Sequence, residues 1–301
     1  MERTERIDFQ ATSDPALLAA SDRGESHLLG YRALYELWER QQWATQELDF
    51  TQDRADWEGF GEEERFQRMY GLSAFFVGEQ RVAAELGPMM RAAPQEEMRL
   101  FLCTQIADEA RHVAFFDRFY AEVGVLESTE LEGRLAETSA HLNPEFGVLF
   151  DELLRARVDR LAREPEDLEA LVEAVTIYHM VIEGMLALTG QHFIMDYNER
   201  MGTLPGFVRG FTLVARDEHR HVAFGARFLR DMARGDPAHG AAIQRALAEV
   251  APAADGVLRP KWFEGHDAEP ALFGVSVDET RAFAMKALER RMKVIGLVAA
   301  A

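Results

Sequence analysis

One short motif, present twice, contains the side chains best suited to chemistry. The sequence Asp-Glu-x-Arg-His-Val-Ala-Phe occurs once in each half of the chain. A single Glu-x-x-His is expected by chance in a chain of this length, but two copies inside a shared longer motif are not. Residues three apart lie on one face of a helix, so Glu109 and His112 face one point, as do Glu218 and His221. Each copy therefore predicts a metal-ligand pair.

Two more glutamates, on apolar helical faces, extend this repeat. Glu79 lies 30 residues before Glu109, and Glu183 lies 35 residues before Glu218. Each half thus consists of a helix with one glutamate followed by a helix with Glu-x-x-His. Two antiparallel helices joined by a connection bring such positions to one height, so two pairs predict a four-helix bundle with six ligands inside.

The charge of this set predicts which ions it binds. An ionised carboxylate buried without a partner costs roughly several kcal/mol, and two divalent cations would neutralise four of them. Oxygen-rich ligands with one imidazole per metal favour manganese or iron, so we expect redox chemistry with O₂. Taken singly, a Glu-x-x-His pair is more often a solvated helix face, and Glu79 or Glu183 could be a salt-bridge partner. The six together favour the metal centre.

The elements that must position these residues are all predicted to be helices. The helix with Glu79 is expected to end at Gly87-Pro88, and the first motif helix at Gly124. Ser276 and Glu279 form a capping box that opens a last helix reaching nearly to the C-terminus. Long strand-like alternation is absent from the sequence, so the fold class is all-α. Residues 1–27 are expected to form an N-terminal arm and residues 28–301 one helical domain.

Composition excludes several classes of partner. The chain has 301 residues, with 33 basic and 52 acidic side chains and a net charge of −19, which disfavours nucleic acid and anionic membranes. Cys103 is the only cysteine, so a disulfide within the chain and a thiolate metal cage are excluded. We found no signal peptide and expected no apolar run near the ~18 residues that span a bilayer. The predicted location is the cytoplasm.

The motifs resemble the ribonucleotide reductase small-subunit superfamily, which has a ferritin-like fold, across residues 28–290. Within it, the chain looks like the ligand-binding oxidases, which share Gly-Glu-x-x-Val, here at residues 78–82, and Tyr-x-x-x-x-Glu, here at residues 178–183. Trp43 followed by Asp-Phe-Thr-Gln-Asp at residues 49–53 adds to the resemblance.

The resemblance implies a dinuclear manganese and iron oxidase that activates O₂, binds a long-chain fatty acid, forms a homodimer and joins Val82 to Tyr178 by an ether crosslink. It places manganese at Glu79, Glu109 and His112. It places iron at Glu183, Glu218 and His221, with an iron pair as the alternative. Tyr178 is five residues before Glu183, roughly 140° away around an ideal helix, so a distorted helix would be needed to bring it to the metals.

Further residues have predicted supporting roles. Asp108 and Asp217 are expected to accept the free N–H of the ligand histidines, and the resemblance places Trp43 near Asp217 on a route for electrons. His179, His192 and His219 are predicted not to be ligands. A possible ligand tunnel, for which ordinary core packing is the alternative, is formed by Phe75, Phe76, Met180, Val181, Met185 and Leu186.

Two other functions are alternatives. A radical-generating small subunit of ribonucleotide reductase usually has a tyrosine one turn after the first ligand histidine. This chain has Phe116 there, which cannot hold a tyrosyl radical. A metal-storage protein resembling ferritin is the other alternative, and this chain is about twice the length of a single four-helix ferritin unit.

Overall fold

The structure, a computed structural model, describes residues 28–259 and 271–297. The predicted N-terminal arm lies outside these residues. A short β-hairpin pairs β1 (Ala271–Leu272) with β2 (Val275–Ser276). The helices are α1 (Tyr31–Arg40), α2 (Thr51–Gly59), α3 (Glu62–Ala92), α4 (Glu96–Val123), α5 (Leu131–Ser139), α6 (144–163), α7 (Leu168–Met201), α8 (Pro205–Gly235), α9 (Pro237–Val257) and α10 (Val277–Ile295).

The four helices that carry the predicted ligands form the bundle. Helix α3 packs along α4, and α7 packs along α8. Apolar side chains fill the space between them, for example Phe101 of α4, which stacks on Phe224 of α8 with 4.8 Å between ring centroids. Fully burying a side chain of this kind contributes about 1.5–3 kcal/mol. The predicted all-α, ferritin-like fold is confirmed.

Most helix ends follow the sequence signals. Helix α4 ends at Val123, and Gly124 has the left-handed φ of 76° that favours glycine. The capping box at Ser276 is formed, and α10 ends at Ile295. The predicted end of α3 at Pro88 was wrong. A proline near a helix end removes only one backbone hydrogen bond, and the following turn buries Met89.

The sequence also gave no sign of the β-hairpin. Each strand has two residues, which is too short for an alternating pattern to be recognised. Phe273 and Gly274 form its turn with positive φ values.

Helix α7 is the most apolar helix and the most irregular. It has π-helical turns over Thr176–Ala187, in which the backbone bonds five residues apart instead of four. Contrary to our expectation, α7 is long and apolar enough to span a membrane by length and composition. However, 89% of its most apolar stretch is buried against the rest of the protein, as in a core helix.

Helix α2 fixes the start of α8. The buried carboxylate of Asp53 accepts the backbone N–H groups of Gly206 at 2.9 Å and Phe207 at 2.6 Å. Nearby, Asp56 accepts the N–H of Leu204 at 2.8 Å. These acceptors satisfy backbone donors that a helix start leaves unpaired. The Asp-Phe-Thr-Gln-Asp segment therefore anchors the helix that carries Glu218.

Candidate metal centre

All six predicted ligands converge inside the bundle, and each is at most 6% exposed. Their donor atoms fall into two groups, each with atoms within 4.8 Å of one another. The first group has Glu79 and His112, and the second has Glu183 and His221; Glu109 and Glu218 belong to both. Two carboxylates shared by two groups is the arrangement expected of ligands that bridge a pair of ions.

The two imidazoles present the same nitrogen to this centre. Nδ1 of His112 lies 3.3 Å from Glu79 and 3.4 Å from both Glu109 and Glu218. Nδ1 of His221 lies 3.3 Å from Glu109 and 3.4 Å from Glu183. A neutral imidazole binds a metal through its unprotonated nitrogen, so Nδ1 is the candidate ligand atom in both residues.

The opposite nitrogens face the two predicted aspartates. Nε2 of His112 lies 3.4 Å from Asp217, and Nε2 of His221 lies 3.1 Å from Asp108. A carboxylate at Nε2 keeps the proton there and leaves Nδ1 free for a metal. Arg220 donates to both aspartates, at 2.7 Å and 2.8 Å, and joins the two halves.

The donor set fits two divalent cations. Several buried atoms that face the centre have no hydrogen-bond partner among the described residues, namely Oε2 of Glu109, Glu183 and Glu218 and Nδ1 of His221. An unpaired buried polar atom is costly, and bound ions would satisfy these four. With Asp108 and Asp217 balanced by arginines, four glutamates leave a charge that two divalent ions cancel.

Burial and the crowding of carboxylates and imidazoles shift the pKa values of these side chains. Burial raises the pKa of Glu79 and of Glu183 well above the usual range. Burial alone would lower the pKa of His112 and His221, but the surrounding carboxylates raise both pKa values well above normal. Cations would replace the protons that such groups retain.

Tyr178 reaches the centre because of the π-helical turns. Its hydroxyl donates to Oε1 of Glu109 at 2.6 Å. A π-helix has more residues per turn than an α-helix, so Tyr178 and Glu183 face more nearly the same direction than an ideal α-helix would allow. Burial and the neighbouring Glu109 raise the pKa of Tyr178, which keeps the phenol protonated.

Gln105, which the sequence analysis missed, connects these groups. Its amide nitrogen lies 2.9 Å from Oε1 of Glu183 and 3.1 Å from the hydroxyl of Tyr178. A carboxylate only accepts, so the amide NH₂ faces it and the amide oxygen faces Nε2 of His179, 3.0 Å away. Burial lowers the pKa of His179 to about 3, so His179 is a neutral donor. Gly225 leaves room for it, because a Cβ there would lie 2.3 Å from the Cβ of His179.

An apolar cavity of about 150 Å³ opens beside the carboxylates. Val82 and Tyr178 both line it, together with Glu79, Glu109, Glu183 and Glu218. Of the predicted tunnel residues, Phe75 and Leu186 line this cavity. The other four are buried in the surrounding core, namely Phe76, Met180, Val181 and Met185.

Two tryptophans lie beyond the aspartates. Trp43 donates its indole N–H to Asp217 at 2.7 Å, in the place that the resemblance implied. Trp38 donates to Asp108 at 2.9 Å, an interaction that the sequence analysis missed. Phe116 is fully buried among Phe75, Phe207 and Phe211, so no hydroxyl occupies the position of a radical tyrosine.

Comparison with known proteins identifies the family. The sequence model described as "Ribonucleotide reductase, small chain" matches residues 30–251. The chain belongs to this family. Among solved structures it is similar to variants of an R2-like ligand-binding oxidase, one with anaerobically and one with aerobically reconstituted Mn/Fe cofactor. Each has 26% sequence identity and a TM-score of 0.77, over 90% of this chain and 94% of the other.

Proposed function

We propose that this protein is an R2-like ligand-binding oxidase, an oxidoreductase that uses O₂ and a manganese and iron pair. The observation that carries the proposal is the 2.6 Å hydrogen bond from Tyr178 to Glu109, in a cavity that Val82 also lines. The similar solved structures, which contain Mn/Fe, support it. Homodimer formation and a cytoplasmic location stay predictions.

The metals would be held in two sets that share Glu109 and Glu218. Glu79 and His112 would complete the set for manganese, and Glu183 and His221 the set for iron. When bound, such a redox-active pair supplies the activation of O₂. Asp108 and Asp217 orient the histidines, and Gln105 holds the Tyr178 hydroxyl toward Glu109.

The proposed built-in reaction joins Tyr178 to Val82. A bond forms between the phenol oxygen and a carbon of Val82, while one O–H bond and one C–H bond break. The two electrons and two protons released go to O₂. Glu109, which already accepts the phenol hydrogen bond, is placed to receive the phenol proton.

The cavity supports binding of a long-chain fatty acid. Its walls are mostly apolar, and its polar end is formed by the carboxylates that hold the metals. An acyl chain would lie along the apolar wall, with its own carboxylate at the metals.

Peptide mass spectrometry tests the oxidase. After loading with manganese(II) and iron(II) in air, we expect peptides containing Val82 and Tyr178 to be linked with the loss of two hydrogens. Loading without O₂ should give no link. Tyr178→Phe should bind two metals without forming the link. Absence of the link in the aerobic wild-type protein, despite full metal loading, would rule out the proposed reaction.

Lipid extraction tests the ligand. We expect a long-chain fatty acid to be released from the purified protein. Ala74→Phe places a ring inside the cavity and should remove most of this lipid while two metals remain bound. Equal lipid content in both proteins would show that the ligand binds elsewhere.

A further inference from the structure

We infer that Trp38 forms a second electron-transfer route to the metal centre, separate from the route through Trp43. The inference rests on the proposed function. The indole N–H of Trp38 donates to Oδ1 of Asp108 at 2.9 Å, and Oδ2 of the same carboxylate lies 3.1 Å from Nε2 of His221. One buried carboxylate therefore connects an indole to a candidate metal ligand through two hydrogen bonds.

The two routes have the same chemistry and reach different halves of the centre. Trp43 contacts Asp217 at 2.7 Å, and Asp217 lies 3.4 Å from Nε2 of His112. The connection through Asp108 is of comparable length. It leads to His221, in the other ligand group. Each candidate metal position thus has its own indole.

The outer end of the Trp38 route reaches the surface. Trp38 is partly exposed, and its ring lies 6.0 Å from that of Tyr35, which is also partly exposed. Indole and phenol are among the side chains that give up an electron most readily. An electron from a reductant at the surface of α1 can therefore pass through these rings.

The electron balance of the step is simple. The Trp38 indole gives one electron to the oxidised centre through Asp108 and His221, and regains one from a one-electron reductant at the surface. No bond forms or breaks in Trp38. Returning an oxidised pair of ions to the divalent state takes two electrons, and two routes can deliver one to each side.

Photochemical oxidation tests the route without O₂. The protein is loaded with iron(II) under anaerobic conditions and mixed with ruthenium tris-bipyridine and a quencher. A light pulse makes a one-electron oxidant in solution, and oxidation of the bound iron is followed by absorbance. We expect Trp38→Phe and Trp43→Phe each to lose part of the rate of light-driven iron oxidation. The double variant should lose nearly all of this rate.

Two replacements separate electron transfer from hydrogen bonding. Trp38→Tyr keeps an oxidisable ring and should retain much of the rate. Trp38→His keeps an N–H for Asp108 without an oxidisable ring and should be as slow as Trp38→Phe. The matched control is Trp57→Phe, which removes an indole that packs on Phe60 and should leave the rate unchanged.

A readout without metal completes the test. Metal-free protein exposed to the same oxidant should show oxidised Trp38 by peptide mass spectrometry. A wild-type rate of iron oxidation in Trp38→Phe, with all of that rate lost in Trp43→Phe, would overturn the inference.

Iron content is measured for every variant. Wild-type protein that binds no iron would contradict both the proposed function and this route. If light oxidises the bound iron but no Val82–Tyr178 link forms in air, only the proposed function is contradicted.

Discussion

At the scale of single residues, Gln105 orients the Tyr178 hydroxyl toward Glu109. The amide donates to Glu183 and Tyr178 on one side and accepts from His179 on the other. This leaves the phenol hydrogen directed at Glu109. A buried group with so many fixed partners is a positioning residue whose loss would leave the phenol free to rotate.

Gln105→Leu should uncouple metal binding from crosslinking. Leucine has a similar size and no donor, so we expect two metals to bind while the yield of the Val82–Tyr178 link falls several-fold. Metal analysis and peptide mass spectrometry measure the two effects. Thr104→Val is the matched control, because among the described residues the Thr104 hydroxyl bonds only the nearby Phe101 carbonyl. An unchanged yield of the link in Gln105→Leu would mean that Tyr178 does not need the hydrogen bond from Gln105.

The sequence identified the candidate metal ligands but not the side chains that form hydrogen bonds around them. The candidate ligands could be recognised because helical spacing places Glu109 and His112 on one face. The second copy of the motif identified Glu218 and His221 in the same way. Gln105 and Trp38 could not be found in this way, because their partners lie 78 and 70 residues away. The one sequence feature that pointed to Gln105 was its position four residues before Glu109, which places both side chains on one face of α4.

At the scale of elements, α7 and α2 have features that residue spacing does not predict. The π-helical turns of α7 bring Tyr178 to the site, which the resemblance required and ideal helical spacing did not allow. The helices themselves were predictable from their apolar faces and caps. The role of Asp53 was not, because it caps a helix 153 residues further along the chain.

Asp53→Ala should destabilise the attachment of α8. It removes a side-chain acceptor from two buried N–H groups, and loss of a cap of this kind costs about 0.5–2 kcal/mol. A domain of this size loses roughly 2–4 °C in Tm for each kcal/mol, which thermal unfolding of the metal-free protein can measure.

Asp49→Ala is the control for this prediction. Asp49 accepts the backbone N–H and the hydroxyl of Thr51, the first residue of α2, at the surface. Water can replace it there, so the loss in Tm should be smaller. A larger effect of Asp49→Ala than of Asp53→Ala would contradict the role given to Asp53.

At the scale of the whole molecule, the fold gathers buried charge that bound cations would offset. The bundle buries four glutamates at one point. Burial raises the pKa values of Glu79 and Glu183, and the surrounding carboxylates raise those of His112 and His221 against the effect of burial. The histidines lower the pKa values of Glu109 and Glu218 against the effect of burial. A group whose pKa is raised in the folded state favours folding at low pH, and this contribution is lost as the pH rises through the raised value. Ion binding replaces these protons and removes that loss.

The stabilisation by metal should therefore grow with pH. We expect the difference in Tm between metal-loaded and metal-free protein to increase from about pH 6 to about pH 8, because metals compete with fewer protons at the higher pH. Calorimetry in buffers of different ionisation enthalpy should show protons released on metal binding. A Tm difference that shrinks over this range would contradict the assignment.

Anomalous X-ray scattering at the manganese and iron absorption edges tests the central claim most directly. Crystals grown with both ions should show two metal positions between α3, α4, α7 and α8, with manganese beside Glu79 and His112, iron beside Glu183 and His221, and Glu109 and Glu218 contacting both. Crystals in which this pocket contains no metal, or in which the six side chains point apart, would contradict the account.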